Sequence, residues 1–163
     1  MFEVYVLVEK KKSQIRRFFS LFFYAIAALT AFLVLLGGYL FVPIAIIGLV
    51  LGWVLQTRNY EYEYSYFDGD VRFAKIINKA NRKKLPGYKM SEVLAIAPVG
   101  DASVALYENS KNVNVRKLNS GYPDRELFVM VAKCENGIDL VYFEPDKRYL
   151  DAVCVKYGYK VRR

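Results

Sequence analysis

FFSLFFYAIAALTAFLVLLGGYLFVPIAIIGLVLGWVL, running from Phe18 to Leu55, contains no Asp, Glu, Lys or Arg. One membrane crossing takes about 20 apolar residues. A single helix through the whole stretch would be roughly 57 Å long, against a bilayer core of about 30 Å. The stretch therefore reads as two crossings, Phe18 to Leu36 and about Leu40 to Thr57. Gly37-Gly38 and Pro43 stand near the change of direction. Glycine accepts the positive φ of a tight turn, and proline is accommodated in a helix's first turn. The alternative, a buried hairpin in the core of a soluble protein, is disfavoured because nothing else in the chain is large or apolar enough to cover it.

Residues 1–17 precede this hairpin as a short basic lead-in, and residues 58–163 are long enough for one small domain. Of the 24 basic and 16 acidic residues that give a net charge of +8, Lys10, Lys11, Lys12, Arg16 and Arg17 crowd the first crossing. Arg58 follows the second crossing, and the connector between the crossings is uncharged. Basic residues beside a crossing mark the cytoplasmic side, so both termini are expected in the cytoplasm of a two-pass membrane protein. A cleaved secretory signal does not fit, because the apolar run is too long and lacks a small-residue cleavage site.

The composition also removes chemistries. There is no histidine, and only two cysteines, Cys134 and Cys154, which are read as free thiols in a reducing compartment. No phosphate-binding G-x-x-x-x-G-K-[ST], nucleophile-elbow G-x-S-x-G or zinc-binding H-E-x-x-H occurs. Neither a catalytic residue, a cofactor site nor a metal site is expected. The hairpin's few polar side chains include no ionisable carboxylate or amine, which argues against a channel or pump. Ala27 and Ala31, and Gly48 and Gly52, are spaced small-x-x-x-small, and such pairs let helix backbones approach closely. Packing of the two crossings on each other is the expected use, and a homodimer through the hairpin is the alternative.

Beyond Arg58 the period changes to two. In NYEYEYSYF (Asn59–Phe67), Tyr60, Tyr62, Tyr64 and Tyr66 alternate with Glu61, Glu63 and Ser65, and Asp68-Gly69 follows as a two-residue turn. Pairing Phe67 with Asp70 sets Tyr66 opposite Val71, Tyr64 opposite Phe73 and Tyr60 opposite Ile77. One face is then aromatic and aliphatic, and the other carries the glutamates near Arg72. Asn78 to Leu85 (NKANRKKL) is a solvated strand or turn. Its Lys79, Arg82, Lys83 and Lys84 lack the interleaved aromatics of a nucleic-acid surface.

Met90 to Ala97 is a buried strand stopped by Pro98, and Ser103 to Tyr107 is a loop or short helix. Asn112 to Leu118, Glu126 to Cys134 and Ile138 to Phe143 are strands, the last two joined at Asn136-Gly137. Asp146 caps a helix on which Leu150, Val153, Cys154 and Tyr157 share a face, and Gly158 ends it. Met1 to Val8 is either an interfacial helix or a strand that joins the domain.

Six or seven short strands followed by one amphipathic helix are the pleckstrin-homology (PH) arrangement. YEYSYFDGDVRFAKIINKANRKK, EVLAIAPVG and LVYFEPDKRYLDAV together resemble an uncharacterised family of small bacterial membrane proteins. These have a lysine-rich start, a two-span hairpin and a cytoplasmic PH-like domain. The resemblance implies an α+β fold: a two-helix transmembrane hairpin, then a PH-like bent antiparallel sheet with a C-terminal helix, in the bacterial plasma membrane. It supplies no catalytic residues. Lipid-binding PH domains have a longer, basic first hairpin loop, whereas this loop is Asp68-Gly69 closed by Asp70, which repels a phosphorylated headgroup.

The expected function is a non-enzymatic membrane-anchored adaptor or scaffold. Its partners would be the lipid bilayer and an unknown protein bound at an open strand edge or groove. The alternative is a sensor of anionic lipid that uses Lys79, Arg82, Lys83 and Lys84 with Lys10, Lys11, Lys12, Arg16 and Arg17.

Overall fold

The computed structural model describes residues 3–108, 110, 113–135 and 137–162. Nine strands and four α-helices lie among them, in two compact units, residues 11–59 and the remainder.

The first unit is the helical hairpin. Helix α1 runs Gln14–Leu35, a 3-10 turn spans Tyr39–Phe41, and α2 runs Val42–Thr57. Gly37 takes φ +94°, and its amide and that of Gly38 return to the carbonyls of Val34 and Leu33, which closes α1. Pro43 lies in the first turn of α2. Both helical segments, Gln14–Leu35 and Tyr39–Thr57, are long and apolar enough to cross a membrane. Most of their large side chains are exposed, up to 83% at Leu35 and 91% at Leu40.

The helices meet over small residues. A Cβ on Gly48 would stand 3.2 Å from Ala27 Cβ, and one on Gly52 only 2.9 Å from the Tyr24 ring. Ala27 and Thr30 are buried, whereas Ala31 is exposed. Ala31 was expected in this packing. The turn of the helix brings Thr30 to the seam instead, with its hydroxyl donating to the carbonyls of Ile26 and Ala27.

The second unit is the domain, and it begins before the hairpin. Strand β1, Glu3–Glu9, pairs antiparallel with β2, Tyr60–Phe67, across the whole inserted hairpin, and the Lys10 amide donates to the Tyr60 carbonyl. The basic lead-in, residues 1–17, is thus divided between a sheet strand and the start of α1. Burial of Val8, with Val4 and Val6 packed on the core, favours the strand over a helix. Strand β3, Asp70–Ile77, pairs with β2 in the register the tyrosine stripe predicts, Phe67 with Asp70 through Tyr60 with Ile77. Asp68 at φ 42° and Gly69 at φ 92° make the turn. Strands β4, Asn81–Lys84, and β5, Tyr88–Lys89, both pair with β3.

The remaining strands form a second sheet, where one bent antiparallel sheet was expected. Its order is β6 (Val93–Pro98), β8 (Phe128–Cys134), β9 (Gly137–Phe143) and β7 (Val113–Lys117). Strand β7 runs parallel to β9, a correction to the antiparallel reading. The segment after β7 carries the chain back to β8, so β7 and β9 point the same way. The Asn136-Gly137 turn signal falls partly outside the described residues, although Cys134 pairs with Gly137.

Strands β8 and β9 are apolar at most positions, Lys133 and Asp139 excepted, because both their faces are covered. One face joins the stripe of Tyr62, Tyr64 and Tyr66 and helix α4 (Lys147–Tyr157) in the main core. The other meets helix α3 (Ala102–Glu108) through Val104. Asp146 Oδ1 accepts the Tyr149 amide at 2.7 Å and caps α4. Gly158 ends α4 as expected, at φ −57°, and the chain tightens from there into a 3-10 turn.

Candidate functional site

A sheet edge is a row of amides and carbonyls ready to pair with another chain, and proteins blunt such edges with lysines, cover or brevity. Among the described residues, three of the four sheet edges are blunted. The edge strand β4 is Asn-Arg-Lys-Lys, short and exposed. The edge strand β7 carries Arg116 and Lys117. Strand β6 is covered by the chain's end, where Ile96 bridges Val161 and its carbonyl accepts the Arg162 amide at 2.8 Å. Lys160 Nζ secures that cover with 2.6 Å hydrogen bonds to the carbonyls of Met90 and Val93.

Among the described residues the β1 edge has no such device, and no strand pairs beyond it. Because Lys10 and Tyr60 are a hydrogen-bonded pair, antiparallel alternation turns the amides of Val4, Val6 and Val8 toward β2. The main-chain groups of Tyr5 and Leu7 are left facing the open side. Their side chains are 68% and 52% exposed, between Glu3 and Glu9. This is an apolar, lysine-free edge long enough to take an extended segment.

The residues singled out as lipid contacts fall in three environments. Lys79 lies 3.9 Å from Glu9 and 3.8 Å from Glu61, and Arg82 pairs with Glu63. These contacts tie two of the four charges of the 79–84 segment to the glutamate rows of β1 and β2. Lys83 and Lys84 are exposed on β4. Lys10 belongs to the domain, 3.4 Å from the Tyr62 hydroxyl and over its ring. Lys11 is exposed. Lys12, Arg16 and Arg17 line a cleft of the hairpin unit together with Arg58. The acidic first turn is held in place too, with Asp68 3.4 Å from Lys156 and Asp70 3.1 Å from Arg72.

The domain also buries a polar cluster that no sequence motif announces. Asp139, 3% exposed on β9, accepts from the Tyr88 hydroxyl at 2.6 Å, Asn114 Nδ2 at 3.1 Å and Arg116 Nε at 3.1 Å. Burial pushes its carboxyl up, but the three donors outweigh this and hold it below the ordinary value. Burial, with Asp139 as acceptor, pushes the Tyr88 hydroxyl well up. Burial and the nearby Asp139 likewise raise the Cys134 thiol. A thiol with a raised pKa carries less thiolate, so this environment does not activate it. The arrangement joins β5, β7 and β9 and has the character of a structural brace. Both cysteines are free. Among the described residues no three His, Cys, Asp or Glu side chains converge as metal ligands would.

A family model described as "Bacterial PH-like domain (DUF6106)" matches residues 2–163. The chain belongs to this bacterial PH-like family, which confirms the resemblance carried by the tyrosine hairpin and the C-terminal helix start. No curated protein and no solved structure matches it.

Proposed function

We propose that this member of the bacterial PH-like family is a non-enzymatic adaptor. In this reading its helical hairpin crosses the plasma membrane twice, and its domain takes an extended segment of a protein partner at the β1 edge on the cytoplasmic side. The observation that carries the binding role is the contrast among edges. Three are guarded or covered, while β1 presents Tyr5, Leu7 and their outward main chain unguarded. Membrane insertion is supported by the exposed apolar surface of both hairpin helices, which water does not tolerate on this scale. The basic residues at the open end, Lys12, Arg16, Arg17 and Arg58, favour a cytoplasmic location for both termini. Anchoring raises the local concentration of the domain, so a short edge contact suffices without high intrinsic affinity.

The test is photo-crosslinking in membranes with a reactive residue at Tyr5 or Leu7, combined with Leu7→Pro. Proline removes an outward amide donor but leaves the ladder to β2 intact. A specific crosslinked protein that disappears with Leu7→Pro, while the domain keeps its thermal transition, is the expected result. Crosslinking unaffected by Leu7→Pro, or none at either position, sinks the edge reading. Extraction of the protein from membranes by alkaline carbonate would sink the anchor.

A further inference from the structure

The open end of the hairpin carries charge of one sign. From Lys10 to Tyr60 the chain contains no Asp or Glu. Lys12, Arg16, Arg17 and Arg58 converge on one cleft of about 540 Å³. Arg16 Nη1 donates to the Arg58 carbonyl at 3.2 Å, linking the start of α1 to the end of α2 and fixing a guanidinium at the mouth. The first turn of α1 holds Arg16 and Arg17, no acid, and no side-chain cap from Ser13. The positive end of the helix dipole adds to the attraction of these cations for an anion.

The interior of the cleft differs from its mouth. One to two turns further along α1 it is walled by Leu21 and Tyr24, with Leu55 and Gln56 from α2. The Tyr24 hydroxyl donates to Gln56 Oε1 at 3.0 Å, and Ser20 Oγ donates to the Gly52 carbonyl at 2.8 Å. These contacts hold the two helices at a fixed spacing below the cations. A charged mouth above an apolar wall, at the end of two membrane-length helices, matches a molecule with a phosphate at one end and hydrocarbon at the other.

We propose that this cleft binds the phosphate-bearing headgroup of an anionic phospholipid of the surrounding leaflet, with Arg16, Arg17 and Arg58 as its charged contacts. None of the cleft's lining residues belongs to the β1 edge or to the Lys79–Lys84 segment. It rests on the reading of the hairpin as membrane-embedded. Arginine suits the role because its planar fork donates two parallel hydrogen bonds to phosphate oxygens.

The experiment uses the full chain, purified in mild detergent and offered equal phosphatidylglycerol and phosphatidylcholine, with retained lipid read by native mass spectrometry. Phosphatidylglycerol should be retained preferentially. Retention should fall about fivefold for each charge removed in Arg16→Gln/Arg58→Gln. Arg17→Gln, which leaves the Arg16–Arg58 link untouched, provides the second variant should the double one fail to fold. Lys83→Gln/Lys84→Gln lowers the net charge equally outside the cleft and should leave retention unchanged. Equal retention of both lipids, or an equal loss with the Lys83/Lys84 pair, overturns the proposal. Displacement of the lipid by millimolar inorganic phosphate assigns the cleft to a free anion and also overturns it. Carbonate extraction separates the two readings: a chain that resists extraction but retains no lipid selectively has lost only this inference.

Discussion

Tyr149 and Asp139 show two opposite treatments of a buried polar atom. The Tyr149 hydroxyl is fully buried, and no described group accepts its proton. Its desolvation is uncompensated, so Tyr149→Phe should be neutral or stabilising by about 1 kcal/mol. A thermal transition of the variant well below that of the parent would show a partner that this packing does not provide. Asp139 is fully engaged, and Asp139→Asn should cost about 2 kcal/mol, since it removes a charge that accepts from three donors. Its pH dependence follows from the direction of its shift. The folded carboxyl lies below the ordinary value of 3.8. Its contribution is therefore fully present above that value and is lost as pH falls through the folded pKa. Near-ultraviolet circular dichroism of the tyrosine-rich core should show the parent losing stability below about pH 4, with a shallower loss in Asp139→Asn. Equal slopes would mean that another carboxylate governs acid unfolding. Neither role was legible in the sequence. Asp139 reads there as one polar residue in IDLVYF, and its partners Tyr88, Asn114 and Arg116 come from separate segments.

Elements fixed by local rules were legible, and those fixed by distant pairing were not. The β2–β3 hairpin was predictable residue for residue because Asp68-Gly69 sets the turn and the tyrosines set the face, two independent constraints on one register. The α4 start was legible from Asp146 for the same kind of reason. The parallel placement of β7 was not, since no property of NVNVRKL states which side of β9 it will join. The small residues of the hairpin fall between these cases. Spacing alone nominates Ala31, but the contact is decided by which side of α1 meets α2, and Gly48 and Gly52 are the residues found there. Gly52→Val therefore places branched carbons where the first Cβ already stands 2.9 Å from the Tyr24 ring. It should force the helices apart and cost roughly 1–3 kcal/mol by overpacking, whereas Ala31→Val on an exposed position should change stability by less than about 0.5 kcal/mol. Thermal unfolding of both variants in detergent checks the contrast. Equal effects would show that the small residues do not set the helix spacing.

At the scale of the molecule, the hairpin is an insertion into a sheet. Residues 3–10 and 60–162 make one compact unit although the hairpin separates them in sequence. The chain leaves β1 at Lys10 and returns at Tyr60, a directly hydrogen-bonded pair. This geometry matches the next hairpin, in which Phe67 and Asp70 are joined by only Asp68 and Gly69. Replacing residues 11–59 by Asn-Gly should therefore close β1 and β2 with a two-residue turn and give a water-soluble, monomeric domain. A chain beginning at Tyr60 should behave differently. It lacks the strand whose Val8 is buried and whose Val4 and Val6 pack on the core. Full burial of one valine is worth about 1.5–3 kcal/mol, so losing all three removes a large share of a small domain's stability. It also leaves the Tyr62–Tyr66 strand as a new open edge. Size-exclusion chromatography and urea unfolding of the two chains decide the matter. Equal stability and solubility would mean that β1 is an accessory strand, and the edge it presents would then lose its claim as a fixed binding surface. A stable Asn-Gly chain beside an aggregating Tyr60 chain would mean that β1 serves the fold on its inner side and remains available to a partner on its outer one.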